Sequence, residues 1–162
     1  MGTDIKITTE THKFKYRVNG IVIKDGKLLT IKMSNGTSFC LPGGHAELGE
    51  DTHTAVIREM KEELNSDATI SSELAIVESF YTDKKGLHTH EISFYYIVEP
   101  VNFDNIPLEN YSTKENDKGE MKDHNFEWIE LSKLEEVDFR PAFIKNKLAK
   151  GDFLFEHMII KE

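Results

Sequence analysis

Glu59, Glu62 and Glu63 lie three and four residues apart in a segment whose apolar residues Val56, Met60 and Leu64 recur every fourth position. That period is helical. At 100° per residue Val56, Ile57, Met60 and Leu64 fill one arc of about 100°, and the three glutamates share a neighbouring arc of similar width. Like charges at these spacings cost an isolated helix about 0.2–0.5 kcal/mol per pair. Hard divalent cations, by contrast, want such a group of oxygen ligands. Taken alone, the trio reads more readily as a solvated acidic face.

The residues before the helix shift the reading. Gly43 and Gly44 let backbone approach a ligand closely, Glu50 stands at the helix entrance, and Arg58 immediately precedes the acidic trio. In the stretch LPGGHAELGEDTHTAVIREMKEELNS, Gly44, Glu50, Arg58, Glu59, Met60, Glu62 and Glu63 resemble the Nudix box, G-x5-E-x7-R-E-U-x-E-E-x-G-U, with U a bulky apolar residue. At background residue frequencies the exact identities would arise in roughly one window in 10^7. Asn65 stands where the family has glycine and Ser66 where it has an apolar residue. Asn65 keeps the turn chemistry, being among the few residues that tolerate the left-handed conformation; Ser66 is expected to loosen the packing after the helix.

The resemblance implies an α/β/α sandwich with a mixed β-sheet, and a hydrolase that uses Mg²⁺ or Mn²⁺ to cut the diphosphate linkage of a nucleoside diphosphate joined to another group. Carried over residue by residue, it makes Glu59, Glu62, Glu63 and the carbonyl of Gly44 metal ligands. Arg58 would orient a glutamate by ion pairing, with Glu50 its expected partner. Either Glu63 or Glu59 would take the proton from water, unless an outside glutamate does so. Candidates outside the box are Glu120 and Asp123. Arg17, Phe39, His90 and Glu120 are the expected substrate contacts, with His88 sharing the strand face of His90; Phe14, Tyr16, Tyr81 and Phe143 serve as base-stacking walls or as core. Nucleoside triphosphates, nucleotide sugars, ADP-ribose and dinucleoside polyphosphates all satisfy the box. A rival reading is a Nudix module that senses a nucleotide without turning it over; such a sensor has no need of the full acidic trio.

The elements that must position these residues follow from periodicity. Phe14 to Ile23 alternates as a strand, and a turn at Lys24-Asp25-Gly26-Lys27 leads into Leu28 to Met33, a hairpin pattern. Phe39-Cys40-Leu41 is a short apolar piece ended by Pro42-Gly43-Gly44. The helix runs from Asp51 to Leu64, capped by Asp51 or Thr52. Ala68 to Tyr81 and His90 to Val98 read as strands around a turn at Asp83-Lys84-Lys85-Gly86. Pro100 to Asp123 is polar, without sustained period, and reads as one long loop. Phe126 to Leu131 is a strand, Ser132 to Val137 and Pro141 to Lys150 are helices, and the apolar Phe153 to Ile160 is expected to pack on the body or on a second copy of the chain, giving a homodimer.

Length and composition bound the rest. With 162 residues, 38% hydrophobic, one domain spanning 1–162 is expected. A formal net charge of −9 argues against a nucleic-acid footprint and against an RNA-directed enzyme, which would want a basic track. No apolar run approaches the roughly 20 residues of a membrane span, and the first fifteen residues are polar, so a cytoplasmic location is expected. The single cysteine, Cys40, fits a reducing compartment and reads as a small packed residue rather than a nucleophile.

Overall fold

The computed structural model describes residues 2–162. Its strands are β1 (Lys6–Thr8), β2 (His12–Ile21), β3 (Ile23–Lys24), β4 (Lys27–Lys32), β5 (Ser38–Cys40), β6 (Gly43–His45), β7 (Ala68–Thr82), β8 (His88–Pro100), β9 (Tyr111–Asp117), β10 (Glu120–Glu130), β11 (Asp138–Phe139) and β12 (Glu156–Lys161). Its helices are α1 (Thr52–Leu64) and α2 (Ala142–Ala149). The strands form two sheets. One has the order β1-β2-β8-β7-β12, with β6 also on β2; the other has the order β11-β5-β4-β10-β9, with β3 also on β4. Each is mixed: β2 runs parallel to β8, β12 to β7 and β11 to β5, while the remaining pairs are antiparallel. The expected α/β architecture is present, with its mixed pairing divided between two sheets rather than held in one.

Alternation along the strands feeds two apolar clusters. Leu28 and Leu29, adjacent on β4, enter different ones, as a pleated strand requires. Val18, Leu29, Tyr96, Val98 and Phe126 pack with Val56, Met60 and Leu64 of α1. Leu28, Leu74, Val77 and Tyr95 pack with Ile144 and Leu148 of α2. Each helix therefore covers its own cluster. The apolar stripe read from the sequence is the buried face of α1, and Met60 lies so close to β2 that a Cβ on Gly20 would come within 2.6 Å of its sulfur.

Both ends of α1 are set by local chemistry. The Asp51 side chain accepts from the Thr54 backbone N–H at 2.8 Å, satisfying one of the helix's free donors. Asn65 ends the helix at φ 52° and ψ 37°, the left-handed cap for which the family pattern has glycine. Ser66 is buried, and its hydroxyl donates to the Asp67 carbonyl at 2.9 Å.

Several expectations are corrected. The partner of β4 in the first hairpin is the two-residue β3, not the long strand before it; β2 crosses to the other sheet and pairs with β8 and β6. Pro100 to Asp123 is not one long loop: it holds a 3-10 turn at Phe103–Asn105, all of β9 and the start of β10. Lys118 and Gly119 have φ of 53° and 90°, the positive values a two-residue hairpin turn demands. The hairpin is polar on both faces because one face lies over carboxylates rather than core, which erases the usual strand alternation. The helix expected at Ser132 to Val137 is present as a 3-10 helix, Leu131–Glu136. Of the last apolar segment, β12 packs on the body, one of the two expected alternatives, with Met158 and Ile160 against the second cluster, while Phe153, Leu154, Phe155 and Ile159 are exposed.

Candidate functional site

Four pieces of chain meet over the acidic side of α1. β6 brings Gly43, Gly44 and His45 alongside β2, with Arg17 opposite His45 and Val18 opposite Gly44. β9 and β10 arch over from the other sheet, and the Thr113 hydroxyl donates to the Glu63 carbonyl at 3.4 Å. Between them lies a cavity of about 370 Å³ lined by Arg17, Gly44, Glu59, Glu62, Glu63, Glu115 and His124, among others.

Arg58 organises the approach. Its Nε and Nη2 donate to the two carboxylate oxygens of Glu50 at 2.8 and 3.0 Å, the bidentate geometry that a guanidinium favours. Nη1 also donates to Glu59 at 3.0 Å and to Glu62 at 3.2 Å, and Nη2 to the His45 carbonyl at 3.0 Å. Glu50 in turn accepts from the Glu47 backbone N–H at 3.0 Å. One arginine thereby ties the helix entrance, two acidic side chains and the glycine strand together, and the hydrogen bond from Arg58 holds the Glu50 carboxyl below its usual range.

The carboxylates differ in setting. Glu63 is 4% exposed and Glu59 7% exposed, whereas the Glu62 side chain is 41% exposed. Burial pushes Glu59 up to about 7 in spite of Arg58. Burial also raises Glu63 well above the usual range; the charges of Glu59 and Glu115 add to this, and the Gly43 N–H, donating to Oε2 at 3.2 Å, opposes it. Burial lowers His45 to about 4, with the neighbouring Arg17 charge adding to the effect. Buried carboxylates this close together without a full set of cationic partners are unusual in a protein interior.

Two residues that sequence reasoning missed complete the group. Glu115 of β9 and His124 of β10 lie 2.6 Å apart, His124 Nε2 to Glu115 Oε2. With Glu63 they form the one set of three such side chains among the described residues whose ligand atoms all lie within 4.8 Å of one another. Ligands at about 2.1 Å from a common ion stand about 3 to 4 Å apart, so small adjustments bring this set to coordinating geometry. A divalent cation fits here on the donor set itself, two carboxylates and an imidazole. Gly44 leaves room for the Glu59 carboxylate, which a Cβ there would overlap. The sequence signal for Glu115 and His124 was the Lys118-Gly119 turn, which pairs residue 115 with 122 and 113 with 124.

Of the other residues singled out from the sequence, Arg17 lines the cavity. Glu120 is exposed just past the hairpin turn, and Asp123 is exposed beside Lys114 at 3.9 Å. His90 hydrogen-bonds Glu78 at 2.9 Å and stacks on Phe80 at 4.4 Å. His88 contacts the ring of His12 at 5.3 Å, and both histidines line a separate small pocket. Phe39 and Phe143 pack against the second cluster, Tyr16 against the first, and Phe14 meets His90 edge-on. Tyr81 donates to Glu91 at 3.3 Å. Cys40 is partly buried, and burial raises its thiol to about 11, the behaviour of a packed residue. No helix among the described residues is long and apolar enough to cross a membrane.

Comparison with known proteins bears on the family and the fold. Over 87 residues the chain is 39% identical to the ADP-ribose pyrophosphatase of Methanocaldococcus jannaschii, a match spanning 52% of this chain and 50% of that protein. The aligned part is thus about half the length of that relative. Among solved structures, the MutT protein of Bacillus halodurans superposes with a TM-score of 0.57 at 19% identity, covering 88% of this chain and 89% of that one. The MutT protein of Methanosarcina mazei gives 0.55 at 18% identity, covering 90% and 96%. At these identities the two structures speak for the fold. The sequence model of the NUDIX domain matches residues 13–148, a span that takes in the glycine strand, α1 and the hairpin above it, and the chain belongs to the NUDIX family.

Proposed function

We propose that this protein is a metal-dependent hydrolase that cleaves the diphosphate linkage of a nucleoside diphosphate joined to another moiety. The observation that carries the reading is the convergence of Glu59, Glu62 and Glu63 with Glu115, His124 and Arg17 on one cavity. Glu59, Glu62, Glu63 and the Gly44 carbonyl, extended by Glu115 and His124, would hold Mg²⁺ or Mn²⁺. A bound divalent ion supplies two things here: a lowered pKa for a coordinated water and a shield for phosphate charge.

The chain's own groups do the rest. Arg58 fixes Glu59 and Glu62 from behind, so the carboxylates are oriented before substrate arrives. Either Glu63 or Glu59 would take the proton from the attacking water. Arg17 presents a guanidinium to the anionic substrate. Sidedness follows: acidic ligands from the helix and hairpin, a fixed cation from the sheet. The named relative makes ADP-ribose the first substrate to test, followed by nucleotide sugars and nucleoside triphosphates.

The test is a phosphate-release screen over such compounds with Mg²⁺ or Mn²⁺, using a phosphatase where the product is a monoester, beside Glu62→Gln and Glu63→Gln. Turnover should fall a hundredfold or more in both variants, on the scale of removing a key electrostatic group, with unfolding curves that remain cooperative. Unchanged turnover in both would refute the assignment.

A further inference from the structure

Four strands end the two sheets, β1 and β12 in one, β11 and β9 in the other. A sheet edge presents unpaired N–H and C=O groups, and soluble proteins keep such edges short or charged. β1 has three residues and β11 two, while β9, seven residues long, carries Lys114, Glu115 and Asp117. β12 follows neither rule: it runs for six residues, with Met158, Ile159 and Ile160 at its centre.

Only one side of β12 is in use among the described residues. It pairs with β7 in parallel, from Glu156 opposite Ala75 to Lys161 opposite Phe80. The Glu162 N–H donates to the Phe80 carbonyl at 2.9 Å. Backbone groups alternate sides along a strand, so those of His157, Ile159 and Lys161 point away from β7. Apolar surface gathers on the same edge. Phe153, Leu154, Phe155 and Ile159, four of the nine large apolar side chains exposed among the described residues, fall within seven positions. At about 200 Å² for a large side chain they leave roughly 400 Å² of apolar surface open, the size of the largest patch on a typical monomer and one that is often functional. Charge agrees. Asp152 and Glu156 are both engaged by Lys147, at 3.0 and 2.6 Å, so two copies of a chain of net charge −9 meet here with less repulsion than elsewhere.

We infer that β12 is the interface of a homodimer in which two copies join edge to edge into one continuous sheet. A second copy brings the same free edge and the same apolar row, so one pairing satisfies both. Antiparallel edges close about a two-fold axis perpendicular to the sheet. That axis keeps each side chain on its own face, so the numbers of opposed residues sum to an even value. The register with His157 on the axis extends each strand back to Leu154, sets Phe155 against Ile159 of the other copy, and sets Leu154 against Ile160. With the strand backbone and its polar rim, the pair buries about 1,200 Å², the lower bound of a stable interface. A dissociation constant in the micromolar range is expected. β7 and β8 lie between β12 and β2, so dimerisation leaves both acidic cavities open.

The experiment is sedimentation velocity from micromolar to several hundred micromolar protein, where wild type should show a monomer–dimer equilibrium. Ile159→Lys should raise the dissociation constant at least tenfold. Ile159→Pro should do the same, because proline removes a free-edge N–H and spares the bonds to β7. Ile7→Lys, on the opposite edge of the sheet, should leave the equilibrium unchanged, although Ile7 and Ile159 are both 61% exposed. Amide exchange at His157, Ile159 and Lys161 should slow as concentration rises. Wild type that stays monomeric throughout overturns the inference and leaves the edge to a different strand. A dimer that survives both substitutions at Ile159 overturns it too, since its contact lies elsewhere. Neither result bears on diphosphate hydrolysis, which is read from the cavity variants.

Discussion

Replacing Glu59 by Gln should stabilise the metal-free protein at alkaline pH while abolishing metal-dependent turnover. The Glu59 carboxyl is 7% exposed, and burial lifts its pKa from 4.5 to about 7. A carboxyl whose pKa is raised by folding binds its proton more tightly in the folded state. Its contribution is therefore fully present below 4.5 and is lost as pH rises through 7. The gap corresponds to about 3 kcal/mol at pH 8 and to under about 1 kcal/mol at pH 5. Relaxation of the site around the charge brings the observable effect to about 1–2 kcal/mol, or about 2–8 °C in Tm for a chain of this size. His45 pulls the other way. Its pKa is lowered by burial to about 4, so its contribution grows as pH rises from 4 towards 6.5 and masks Glu59 in the wild-type curve. The diagnostic quantity is the difference between Glu59→Gln and wild type, from which His45 cancels. Thermal unfolding by circular dichroism in EDTA at pH 5, 6, 7 and 8 should show the variant gaining on wild type with each step. Adding millimolar Mn²⁺ at pH 8 should raise wild type more than the variant, since a ligand that binds only the folded state stabilises it. A difference that stays flat from pH 5 to 8, or a variant less stable than wild type at pH 8 in EDTA, would refute the account of Glu59 as a desolvated carboxylate awaiting a cation.

Other changes probe the same construction. Gly44→Ala places a Cβ in the space of the Glu59 carboxylate and should lower Mn²⁺ affinity at least tenfold in a calorimetric titration, with the fold retained. Glu115→Gln and His124→Gln should each lower Mn²⁺ affinity by about tenfold, the lower end of the range for residues supporting a metal site; unaltered affinity in both would remove the hairpin from the site. At the end of α1, Asn65→Gly should lie within about 0.5 kcal/mol of wild type in urea unfolding. Asn65→Ala should lose about 1 kcal/mol, because φ is 52° there and alanine lacks the local hydrogen bonding that lets asparagine adopt it.

What could be read from the amino acids alone was what nearby residues decide together. Helical phase put Glu59, Glu62 and Glu63 on one arc beside Val56, Met60 and Leu64; Asp51 and Asn65 marked the helix ends; and the eight-residue spacing of Glu50 and Arg58 agreed with the ion pair now seen at 2.8 Å. These depend on dihedrals and on side chains within about two turns. The Lys118-Gly119 turn marks the hairpin that carries Glu115 and His124, but the approach of that hairpin to Glu63 and the pairing of Arg17 with His45 depend on which strands meet, and no short-range pattern records that. The β9–β10 hairpin was especially opaque, because a strand that covers carboxylates carries polar residues on both faces and loses the alternation that betrays a half-buried strand. Only tertiary packing brought Glu115 and His124, 52 and 61 positions beyond Glu63, within reach of one ion with it.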